Sequence, residues 1–175
     1  MIGHMPRAAI VAACLALAAC NTEQLEKCPG AAVLVDTGSL TQLQTNAQGQ
    51  PSVLYTVQIT RATRDCDIPK YSRDLTGSVS FDFQATRTNA SAGATYTVPY
   101  FVAITSEGKV LAKQVFQVAF AFQPGETTTT FSDSVNSLSL TIGRDKKASD
   151  YGILVGFQLT KAQLDYNRRA GRYPK

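Results

Sequence analysis

The 175-residue chain contains no tryptophan and a single histidine, His4. Histidine is the commonest general base, the usual partner of a nucleophilic serine and the commonest metal ligand. Its loss from everything after residue 4 removes all three roles at once. Charge is also sparse, at 17% of residues, with a net +4. Domains that grip nucleic acid carry a dense basic stripe, and no such stripe is present, so nucleic acid is not an expected partner. Ala8 to Leu17 is apolar for about ten residues, whereas a helix needs roughly 20 to cross a bilayer. What remains is an ordinary globular composition, 44% apolar, long enough for one domain with a real core.

The first twenty residues divide into Arg7, the apolar run, and Leu17-Ala18-Ala19-Cys20. A positive start followed by a short apolar stretch and small residues has the form of an export signal. The last four residues resemble the lipobox of bacterial lipoproteins. That resemblance implies a diacylglycerol on the Cys20 thiol, cleavage just before it, and acylation of the new amine. Val11-Ala12-Ala13-Cys14 fits the same four-residue pattern, but cutting there leaves only a few residues of apolar run. An ordinary secretory signal with Cys20 incidental is the plainer alternative. Cleavage before Cys20 discards Arg7 and leaves 16 basic and 13 acidic residues, a charge of +3. By the sorting rule of enterobacterial lipoproteins, in which an aspartate at this position favours the inner membrane, the resemblance implies with Asn21 the periplasmic face of the outer membrane, the inner membrane being the alternative.

With Cys20 lipidated and Cys14 discarded, Cys28 and Cys66 remain. Two thiols in an exported protein are expected to form one disulfide. Asn21 to Lys27 alone separate the lipid from Cys28, a reach of roughly 25 Å when fully extended. The domain is therefore expected to hang close to the headgroups.

From Cys28 onward the dominant pattern has period two, the mark of half-buried strands. Val53, Tyr55, Val57 and Ile59 alternate with polar neighbours, as do Val79, Phe81, Phe83 and Ala85. The same holds for Tyr96 to Ile104, Leu138 to Ile142 and Tyr151 to Leu159. In Phe116, Val118, Phe120 and Phe122 the second face (Val115, Ala119, Ala121) is apolar too, which predicts a central strand covered on both sides. Ser106-Glu107-Gly108-Lys109 predicts a hairpin. Seven or eight such strands predict an all-β fold, an antiparallel β-sandwich of immunoglobulin or fibronectin-III type, with a barrel as the alternative. Asp150-Tyr151 at the start of a strand resembles a tyrosine corner. Thr160 and Gln163 have capping-box spacing and predict a short C-terminal helix from Lys161 to about Arg168, with Leu164 packed on the sandwich. The expected divisions are a signal peptide at 1–19, a lipidated tether at 20–27, the sandwich at 28–160, and the helix with a basic tail at 161–175.

No pair of residues selects itself as catalytic, and no cofactor is implied. Asp65 and Asp67 flank Cys66, and Asp145 and Asp150 share a loop, but Arg64, Lys70, Lys146 and Lys147 sit beside them without calcium-loop spacing. No metal site is expected there. Lys161, Arg168, Arg169, Arg172 and Lys175 form a basic end suited to an anionic surface. Cys28-Pro29, Gly156 to Thr160, Gln163-Leu164 and Tyr166-Asn167-Arg168 resemble a group of uncharacterised alphaproteobacterial lipoproteins, which implies a location and no chemistry. The expected role is a non-catalytic binding or structural accessory module, anchored to a membrane through Cys20, with an envelope protein as partner. Lipid, glycan or peptidoglycan binding is the alternative, ahead of a carboxylate-dependent hydrolase.

Overall fold

The computed structural model describes residues 28–171; the expected signal and tether, with Cys20, and the tail residues Arg172 and Lys175 lie outside them. Eight strands and one helix follow in order: β1 (Gly30–Val33), β2 (Ser39–Thr45), β3 (Pro51–Asp67), β4 (Asp74–Thr86), β5 (Ala94–Ser106), β6 (Lys109–Phe122), β7 (Thr128–Thr141), β8 (Tyr151–Phe157) and α1 (Lys161–Ala170). They form two four-stranded sheets, ordered β1-β8-β5-β6 and β2-β3-β4-β7. Every pairing is antiparallel except β1 with β8. The fold is an all-β sandwich with a short C-terminal helix.

Connectivity gives the sandwich its immunoglobulin character. β3, β4 and β7 take the places of strands A, B and E, while β5 and β8 take those of C and F. β6 extends the second sheet beside the C position. After β8 the chain turns into α1 instead of a final strand, and β1 fills the vacated edge by pairing parallel to β8. Tyr151 opens β8, and its hydroxyl accepts the Gly143 backbone N–H at 2.9 Å, so the tyrosine corner is present.

The core lies between the sheets. Val57, Ile59, Phe81, Phe83, Val98, Tyr100, Phe122, Ile153, Val155 and Phe157 are buried there, and rings meet across the sheets, Phe81 and Phe83 against Tyr100. Two strands change parity on the way. A bulge at Thr60 displaces the β3–β4 register between Ile59 and Arg61, so the inward side switches from Tyr55, Val57 and Ile59 to Ala62 and Cys66. A second irregularity between Gly77 and Val79 moves the inward side of β7 from Val135 to Leu138.

β6 corrects one expectation. It is an edge strand, and its outer face is exposed along Val115, Ala119 and Ala121. The strands covered on both faces are β5 and β8. Phe101 and Ala103 of β5 are buried on the outer face, and Gly156 of β8 is so close to Thr37 that a Cβ would collide with its side chain. Two alanines and a valine made the outer side of β6 read as apolar, but they bring little surface to bury.

Candidate functional site

Three surfaces hold the residues that bear on function. The first is the end of the sandwich where β1 begins. Cys28 and Cys66 face each other there at disulfide distance, with Cα atoms 5.9 Å apart, as the sequence predicted. The β3–β4, β5–β6 and β7–β8 connections gather at the same end, because Gly30 pairs with Gly152 and Ser106 with Tyr151. In the first connection Ser72 N–H donates to the Pro69 carbonyl at 2.9 Å, closing a turn. Its third residue, Tyr71, has φ 66° and is 95% exposed. Glu107, with φ 52°, is the only other non-glycine residue of positive φ among those described. The Lys70 ammonium lies 5.2 Å from the Tyr71 ring centre.

Beside that turn is a hollow of about 310 Å³ floored by Ile68, Ile142 and Ala148 and rimmed by Arg73, Lys146 and Lys147. Arg73 Nε donates to the Ile142 carbonyl at 2.8 Å, which fixes its guanidinium over the floor. Lys146 donates to Ser106 Oγ and pairs with Glu107, both at 2.9 Å. The hydrogen bond to Glu107 raises its amine above the usual lysine value. Asp150 is taken up by the Lys147 backbone N–H at 2.7 Å. Asp65 and Asp67, by contrast, sit at the end of β3. Among the described residues no three His, Cys, Asp or Glu side chains come together as a metal site.

The second surface is the open side of the sandwich. β6 and β7 are the last strands of their sheets on this side, and they leave a groove of about 290 Å³ between them. Val102, Ile104, Phe116, Val135 and Leu138 give it an apolar floor. Along the β6 edge Val110, Leu111 and Val115 are 61%, 54% and 49% exposed. β7 presents mostly Thr and Ser to solvent. Deeper in, the Tyr100 hydroxyl donates to Asp133 of β7 at 2.9 Å. Burial, then that bond, pushes the phenol well above its ordinary value.

The third is α1, which carries three of the five cations expected to meet an anionic surface. Its capping box is as predicted: Gln163 N–H donates to Thr160 Oγ1 at 3.3 Å and Thr160 N–H to Gln163 Oε1 at 2.9 Å. Lys161 is paired with Asp165 at 2.7 Å, a bond that holds this carboxyl below the usual range. Arg168 is paired with Asp36 at 2.9 Å. Arg169 is exposed and makes no ion pair within the described residues. The helix is pinned by a residue to which the sequence assigned no structural role. Asn167 is buried and donates to the carbonyls of Ser39 at 2.7 Å and Asp36 at 3.2 Å. Leu164, three residues earlier, is only half-buried. An asparagine at that spacing on the apolar face was the available clue.

Comparison with protein-family models, curated proteins and solved structures returns no match.

Proposed function

We propose that the protein is a lipid-tethered envelope module that binds and does not catalyse, held through Cys20 at the periplasmic face of the outer membrane. Its open side takes an extended segment of an envelope protein. The observation that carries this is the β6 edge, which no described strand or helix covers, beside the apolar groove. A sheet edge offers unpaired N–H and carbonyl groups, which soluble proteins usually blunt with charge, proline or a covering element. Lys109 and Lys113 are the only charged residues of β6, and it contains no proline. The opposite edges are guarded: β1 is four residues long, and α1 lies against β2 through the Gln163–Gln42 bond. A segment added to β6 would draw affinity from the main chain and specificity from alternate side chains. One set would enter the groove over Phe116, and the other would lie along Leu111 and Val115.

The test is co-purification of the tagged, full-length protein from cross-linked membranes, beside a Leu111→Glu/Val115→Glu variant. Both side chains are exposed, so the melting temperature should hold. One stoichiometric envelope protein, lost in the variant, is the expected result. Equal recovery with both proteins, or recovery of lipid and cell wall alone, would overturn the reading.

A further inference from the structure

We infer that the end of the sandwich bearing Cys28 is a membrane-contacting face, on which Tyr71 enters the interface while Arg73 and Lys147 hold phospholipid phosphates over the hollow between them. The inference deepens the proposed tether at Cys20 and rests on it.

Reach orients the domain. Seven residues lie between Cys20 and Cys28, so the β1 end stays within roughly 25 Å of the lipid. Cys28 is bonded to Cys66 at the far end of β3, so this end of the domain cannot peel away from its tether. The cations of α1 lie elsewhere. Asn167 is pinned at Ser39, which pairs with Gln58. From Gln58 to the end of β3 is about 30 Å at ~3.3 Å per residue.

The chemistry of the end is that of a headgroup layer. Tyrosine is enriched where water meets bilayer, because its ring is apolar and its hydroxyl wet. Tyr71 occupies a turn position whose positive φ favours glycine, so the fold bears backbone strain to hold an aromatic ring in the open. At this end of the sandwich Lys70, Arg73, Lys109, Arg144 and Lys147 make no ion pair with any described residue. The local acids are partly occupied: Glu107 by Lys146, Asp150 by a backbone N–H, and Asp74 by Thr141 Oγ1 at 2.7 Å. Asp65, Asp67 and Asp145 make no ion pair among the described residues, and the five unpaired cations outnumber these three. The apolar floor of the hollow, between Arg73 and Lys147, suits a phosphate carried on glycerol better than a bare ion.

The absence of tryptophan makes the test clean, since Tyr71→Trp introduces a single indole. The full-length lipoprotein carrying Tyr71→Trp is reconstituted into vesicles of phosphatidylcholine and phosphatidylglycerol with brominated acyl chains. Flotation reads the anchor and indole quenching reads the contact. The expected result is flotation with quenching of at least half the emission, falling severalfold when Arg73→Gln and Lys147→Gln are added. Flotation with an unquenched, water-exposed indole would overturn the contact face and leave the anchor standing. Failure to float would overturn the anchor and this orientation with it. A blue shift induced equally by inorganic phosphate without vesicles would overturn the membrane as the ligand. A control with Tyr71→Gly, which relieves the strained turn, should keep the melting temperature while weakening binding of its Cys20→Ser, unacylated form to the same vesicles.

Discussion

At the scale of the residue, Tyr100 shows how one polar atom is accommodated in an aromatic core. Its ring packs against Phe81, Phe83 and Phe116, and its hydroxyl reaches Asp133 in the opposite sheet. Burial and the neighbouring carboxylate both favour the protonated phenol. An unfolded tyrosine loses its proton near pH 10, while the folded one retains it above that. The unfolded state therefore binds fewer protons as pH rises past 10, and stability must fall there. Chemical denaturation between pH 9 and about 11 should show this decline, and Tyr100→Phe should flatten it. Tyr55, raised by burial and then by Tyr96, adds to the slope and should leave a smaller decline in that variant. None of this was readable from the sequence. Tyr100 looked like any other inward residue of an alternating strand, and Asp133 lay in a Ser/Thr-rich run that gave no hint of crossing the core.

At the scale of the element, α1 was legible because its start is written in side-chain chemistry. Thr160 and Gln163 satisfy each other's backbone donors. Thr160→Ala should cost about 1 kcal/mol, the usual worth of an N-cap, read as a lower denaturation midpoint with an unchanged slope. Strands were legible only while their parity lasted. The period-two reading of β3 stopped at Ile59, yet the strand runs on to Asp67. The bulge at Thr60 turns Ala62 and Cys66 inward, and no glycine stands there to mark it. β6 failed for a different reason. Alternation reports which faces are apolar, but not whether another layer exists to cover them. The site suffered similarly: Cys28 and Cys66 could be paired by elimination, whereas the hollow between Arg73 and Lys147 is assembled from loops far apart in sequence.

At the scale of the whole molecule, three of the six strand pairings, β1–β8, β4–β7 and β5–β8, join strands far apart in the chain, and a covalent closure joins them. The Cys28–Cys66 bond spans 38 positions, and a cross-link of that length stabilises by about 4 kcal/mol in the chain-entropy account. Cys66→Ser should remove most of that, seen as a drop in melting temperature that reducing agent reproduces in the parent and not in the variant. The loss should be felt first in β1, whose four residues have β8 as their sole strand partner among the described residues.

That parallel pair also imposes an order in time. A chain delivered from its N-terminus presents Gly30–Val33 long before Tyr151–Phe157 exists to receive it, so β1 waits for nearly the entire domain to be made. Cys66 arrives much sooner than β8. If the two sulfurs join at that stage, they keep the place of β1 beside the growing sandwich, and the last strand closes onto a neighbour already in position.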